Sequence, residues 1–75
     1  MATQTFYFDM KDGVPVRDRI GMQFSLNSQA IEHSKDLAEQ FRQQRIHEEP
    51  DLVICVLDES GREIHRELVH PMAQT

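Results

Sequence analysis

Twice in 75 residues an aromatic or β-branched run stops at an acidic-then-glycine turn. The first is Phe6-Tyr7-Phe8-Asp9-Met10-Lys11 followed by Asp12-Gly13, and the second is Leu52 to Leu57 followed by Asp58-Glu59-Ser60-Gly61. Each reads as a strand entering a hairpin, because glycine tolerates the positive φ that tight turns require. Phe6, Phe8 and Met10 alternate with Tyr7, Asp9 and Lys11, the period of a half-buried strand. Val14 and Val16 begin a return strand whose Pro15 lacks an amide donor, which places it at an edge or a bulge. Asp18-Arg19-Ile20-Gly21 reads as a further turn, with Met22 and Phe24 as a very short third strand.

Between the two hairpins lies one helix. Leu26, Ala30, Ser34, Leu37, Ala38 and Phe41 gather on one face of a 3.6-residue wheel, with Ile31 at its margin. Ser25 is the preferred N-cap, with Asn27 and Ser28 as substitutes, since a short hydroxyl or amide side chain can accept from the first free amides. His47-Glu48-Glu49-Pro50 is a polar linker whose proline stops the helix. Leu52 to Leu57 is apolar at every position, the pattern of an interior strand. On the return strand, Ile64 and Leu68 are assigned to one face with Arg66 between them, and His65, Glu67 and Val69 to the other. Pro71 ends it.

The expected fold is therefore α+β. One antiparallel-rich sheet of four to five strands, built from two hairpins, carries a single helix on one face in the order ββ(β)αββ. Residues 1–75 form one domain with loose ends at about 1–4 and 71–75. The first strand and the Leu52–Leu57 strand belong in the middle, with Pro15 and the charged last strand at the edges.

Size and charge narrow the function. A domain this small buries only about 60% of the surface of its unfolded chain, so association with a partner adds stability. Thirteen acidic residues against eight Lys and Arg leave a net charge of −5, which disfavours nucleic acid and anionic membranes as partners. No basic, apolar leader opens the chain and no apolar run is long enough to cross a bilayer. With a single cysteine, Cys55, a reducing cytoplasm is the expected setting.

Read together, the motifs resemble a family of small proteins of unknown function abundant in rhizobia and related alphaproteobacteria. The shared elements are Phe6-Tyr7-Phe8-Asp9 with Asp12-Gly13, then Arg17-Asp18 and Gly21, Ala30, Leu37-Ala38, and Asp58-Glu59-Ser60-Gly61-Arg62. The helix is poorer in alanine than is usual there, and the linker from His47 to Pro50 is idiosyncratic. The resemblance implies this fold and a bacterial cytoplasmic origin, and it brings no catalytic residue, ligand or partner. The order of elements from Phe6 to Phe41 is also similar, in topology alone, to antitoxins of the HicB type.

Candidate chemistry is sparse. Asp9, Asp12 and Asp18 cluster near the first hairpin, but turn chemistry accounts for Asp12 and Asp18. An ion pair of Arg17 or Arg62 with one of these carboxylates is expected before a metal. His33, His47, His65 and His70 lack the spacing of zinc ligands, and surface positions are expected for them. Cys55 sits mid-strand among apolar neighbours, where a thiol is an inert hydrophobe rather than a nucleophile. Ser60 has no strand–elbow–helix context, and no glycine loop cradles phosphate. The expectation is a non-enzymatic protein with no cofactor and no metal. What remains is a surface: Tyr7, Val53, Cys55 and Leu57, joined by Val69, on the sheet face turned away from the helix. An apolar patch there marks a protein interface, most simply a symmetric homodimer, unless long side chains such as Lys11 and Arg66 cover it. The rival reading is an antitoxin-like or nucleic-acid-linked regulator using Arg42, Arg45, Arg62 and Arg66.

Overall fold

The computed structural model describes residues 2–12, 15–44 and 51–70. Its elements run β1 (Gln4–Lys11), β2 (Pro15–Val16), β3 (Met22–Phe24), α1 (Asn27–Gln44), β4 (Val53–Leu57) and β5 (Glu63–Leu68). This is the expected α+β order. All pairings are antiparallel and the sheet is ordered β2-β1-β4-β5, with β3 also on β1. The two most apolar strands are central, as the sequence requires, and the proline strand and the charged strand take the edges. β1 begins at Gln4, inside the stretch expected to be loose. Gly13, Val14, the linker His47–Pro50 with Arg45, and Pro71 lie outside the described residues.

One face of the sheet is closed by α1. Phe6, Phe8, Ile54 and Val56 project from the central strands into a core completed by Ala30, Ala38, Leu52 and Val69. Small residues at 30, 34 and 38 let the helix approach the sheet closely. Ser34 is fully buried there, and its hydroxyl donates to the Ile31 carbonyl at 2.6 Å, so burial leaves no unpaired polar atom.

Two expectations about the helix are corrected. Ser25 is not the N-cap. The helix starts at Asn27, Leu26 holds the cap position, and the Leu26 carbonyl accepts from Gln29 and Ala30. The side chain of Gln29 reaches back instead, its Oε1 accepting from the amides of Ser25 and Leu26 at 3.0 and 3.1 Å. That is the glutamine half of a capping box. Leu26, assigned to the buried face, is 59% exposed, because it precedes the first helical turn and does not follow the wheel.

The edge beside β1 is split into β2 and β3, and Asp18 bridges the gap. Its carboxylate accepts from the amides of Phe8 (3.1 Å), Ile20 (3.0 Å) and Gly21 (3.1 Å), while its own amide donates to Asp9 Oδ1 at 2.9 Å. The Phe8 donor that a continuous edge strand would have paired is thus satisfied by a side chain. Burial raises the carboxyl pKa, but the three amides outweigh it and hold the group below its usual range. Gly21 follows at φ 76°, and a Cβ there would stand 2.6 Å from Thr5 Cγ2 and 2.9 Å from the Phe6 carbonyl oxygen. Glycine is required both for its conformation and for its closeness to β1.

Candidate functional site

Side chains alternate across a strand and cross-strand partners share a face, so the registers lay out the face turned away from α1 row by row. Tyr7, Leu57 and Glu63 form one row, then Asp9, Cys55 and Arg66, then Lys11, Val53 and Leu68. β4 supplies the apolar middle of every row. Tyr7, Val53 and Leu57 are half-buried and Leu68 is 49% exposed. α1 packs on the opposite side, and the depression over this face, about 410 Å³, is bordered by Asp9, Lys11, Arg17, Cys55, Leu57 and Glu63.

Of the five residues predicted for the surface, Tyr7, Val53 and Leu57 stand as described. Cys55 points the predicted way but is only 6% exposed, sunk between Asp9 on one side and Arg66 on the other. Burial first, and the carboxylate of Glu63 next, push its thiol up, so the thiolate that nucleophilic or redox chemistry needs is scarce. Val69 is a correction. It is fully buried in the core under α1, its amide donating to the Leu52 carbonyl at 3.1 Å and its own carbonyl accepting from Arg42 at 2.7 Å.

The face assignment of Ile64 and Leu68 is also corrected. A bulge between Val56 and Leu57 pairs Val56 with His65 but Leu57 with Glu63, leaving Ile64 as the extra residue, packed against the core. Leu68 stays on the other face. A period of two cannot be carried through a bulge, so simple alternation misplaces one side of it. Glu63 thereby joins the candidate surface opposite Leu57, and the charged alternation of the last strand is the only mark of it in the sequence.

Charged groups frame the patch, and Asp9, Glu63 and Arg66 among them are engaged. Arg66 contacts Glu63 through two nitrogens, each at 3.2 Å. The turn after β4 is closed by Asp58, whose Oδ1 accepts from the Ser60 hydroxyl (2.7 Å) and from the amides of Ser60 (3.0 Å) and Arg62 (2.9 Å). Gly61 completes it at φ 86°. Beyond the β1–β4 pairing, a side-chain bond also joins the two hairpins, from the Thr5 amide to Glu59 Oε2 at 2.9 Å. Asp9 and Asp18 each hold a backbone amide, Asp18 that of Phe8 and Asp9 that of Asp18.

The remaining candidates are distributed otherwise. His33 is half-buried and packs on Phe8 and Phe24, with ring centroids 5.0 and 5.6 Å away, so it is not a free surface residue. His65 contacts Glu67 at 2.8 Å. Among the described residues, no group of three or more His, Cys, Asp or Glu converges on a common point, and no helix is long and apolar enough to cross a membrane. Of the rival basic set, Arg42 is engaged by Glu39 and Val69, and Arg66 by Glu63; Arg45 lies outside the described residues.

A family model described as a domain of unknown function, DUF6894, matches residues 5–68. No curated protein and no solved structure matches the chain.

Proposed function

The chain belongs to the DUF6894 family, whose function is unknown, and we propose that it is a non-catalytic protein-docking module whose working surface is the sheet face opposite α1. One observation carries this reading. The central strand presents Val53, Cys55 and Leu57 on that face, Tyr7 and Leu68 extend the apolar strip at opposite corners, and residues of both charge signs flank it. A lone solvated face would ordinarily alternate to polar residues along β4. The simplest occupant is a second copy, because a face bearing both signs can complement itself.

The surface is small. Three strands spaced about 4.8 Å apart and about five residues long present a plane of roughly 240 Å². Two such planes amount to about 480 Å², which side-chain relief enlarges only toward the small, transient end of interface sizes. The dimer is accordingly expected in the micromolar range and in a reducing cytoplasm, where Cys55 stays a thiol.

Replacing Val53 and Leu57 together with Lys tests the reading by light scattering across concentration. A folded monomer is the expected product, with wild-type circular dichroism. A variant that remains as dimeric as wild type would sink the proposal.

A further inference from the structure

We propose that in the dimer the two-fold axis runs parallel to β4, so that Asp9 of each copy lies over Arg66 of the other. This rests on the docking reading above and specifies its geometry. Two copies meeting face to face are related by an axis lying in the plane between them. Sheets pack either with strands nearly aligned or at right angles, which leaves three arrangements to weigh against the rows already described.

With the axis across the strands, each strand turns end for end while each row keeps its order. Asp9 then faces Asp9 of the other copy and Arg66 faces Arg66, so the middle row opposes like charges twice. With the sheets at right angles, Asp9 and Arg66 lie over Val53 or Leu57 and lose water without gaining a partner, which is costly. With the axis along β4, the β1 column overlies the β5 column row by row. Asp9 meets Arg66 twice by symmetry. Val53, Cys55 and Leu57 each meet themselves in an apolar centre. Tyr7 lies over Glu63, where its hydroxyl can donate to the carboxylate, and the aliphatic stem of Lys11 lies over Leu68. Only this arrangement leaves every row matched.

The side chains involved are placed for it. Asp9 already holds the Asp18 amide through Oδ1, which fixes its orientation at the surface. Arg66, 54% exposed and bound to Glu63 on its own strand, is held along the same face. Arginine keeps a fork of donors, so it can serve Glu63 and a second carboxylate together.

The test is charge reversal read by sedimentation equilibrium of the full chain at low salt. Arg66→Glu alone and Asp9→Lys alone should each weaken the dimer by about tenfold or more, since each creates two like-charge contacts. Both substitutions in one chain should restore association to within about threefold of wild type. If the single reversals leave the dimer unchanged while Val53→Lys with Leu57→Lys abolishes it, the docking face stands and the axis is wrong. If the double reversal stays monomeric with a wild-type circular dichroism spectrum, the axis is likewise wrong. Should Asp9→Lys disturb the Asp18 turn, Asp9→Asn keeps an oxygen for that amide. Combined with Arg66→Gln in a double-mutant cycle, it should show coupling between the two positions, and additive effects would overturn the assignment. A wild-type chain that is monomeric throughout would overturn both readings at once.

Discussion

Asp18 shows how much a single side chain can carry in a domain with so thin a core. It replaces a missing stretch of edge strand, taking the Phe8 amide and shaping the turn through Ile20 and Gly21. Asp18→Ala strands those donors and should cost about 2 kcal/mol, a fall in Tm of roughly 10 °C for a domain of this size. Its folded pKa lies below the unfolded value of about 3.9. The contribution is therefore complete above that value and is lost as pH falls through the folded one. Thermal melts between pH 7 and pH 2 should show wild type losing its advantage over Asp18→Asn only at the acid end. The glycines make a second contrast. Gly21→Ala meets Thr5 and Phe6 at under 3 Å, whereas nothing stands within 4 Å of a Cβ at Gly61. With left-handed strain common to both, Gly61→Ala should cost about 1 kcal/mol and Gly21→Ala about 3 kcal/mol, measured by urea unfolding.

Among the elements, the strands and the helix were legible because burial writes a period into them. Phe6 and Phe8 alternate with half-buried neighbours, Ala30, Ser34 and Ala38 recur at four, and Leu52–Leu57 is apolar throughout. What escaped lies at the ends and irregularities, where no period holds. Gln29 caps the helix from inside by reaching backward, which a search for a short polar residue before the helix does not find. The bulge at Val56/Leu57 shifts Ile64 toward the core and brings Glu63 to the docking face. Val69, the first residue past β5, continues the alternation of His65 and Glu67, which pair with the core-facing Val56 and Ile54, so it lies under α1. The side of that set, not its alternation, is what the sequence left open. Val69→Ala should lower stability by about 2–3 kcal/mol in urea unfolding. Scaled to the folded fraction, the association constant should be unchanged, because Val69 belongs to the core and not to the docking surface.

At the scale of the whole molecule, one helix and one small sheet leave a face that the described elements do not cover. The sequence showed where an apolar face would lie but not how its charges are dealt around it, since that depends on register across three strands. Cys55 illustrates the difference: apolar in its run, it sits in the fold between Asp9 and Arg66, nearly out of reach of water. The acidic total and the engagement of Arg42 and Arg66 by carboxylates predict no salt-sensitive retention of RNA or DNA in a filter-binding assay at low ionic strength. The central claim, that the sheet face opposite α1 docks a second copy, is met most directly by sedimentation equilibrium of the wild-type chain over a wide concentration range at low and high salt. The account predicts a dimer in the micromolar range that weakens in high salt yet persists, because its centre is apolar and its flanks are charged. A strict monomer at every concentration would contradict it.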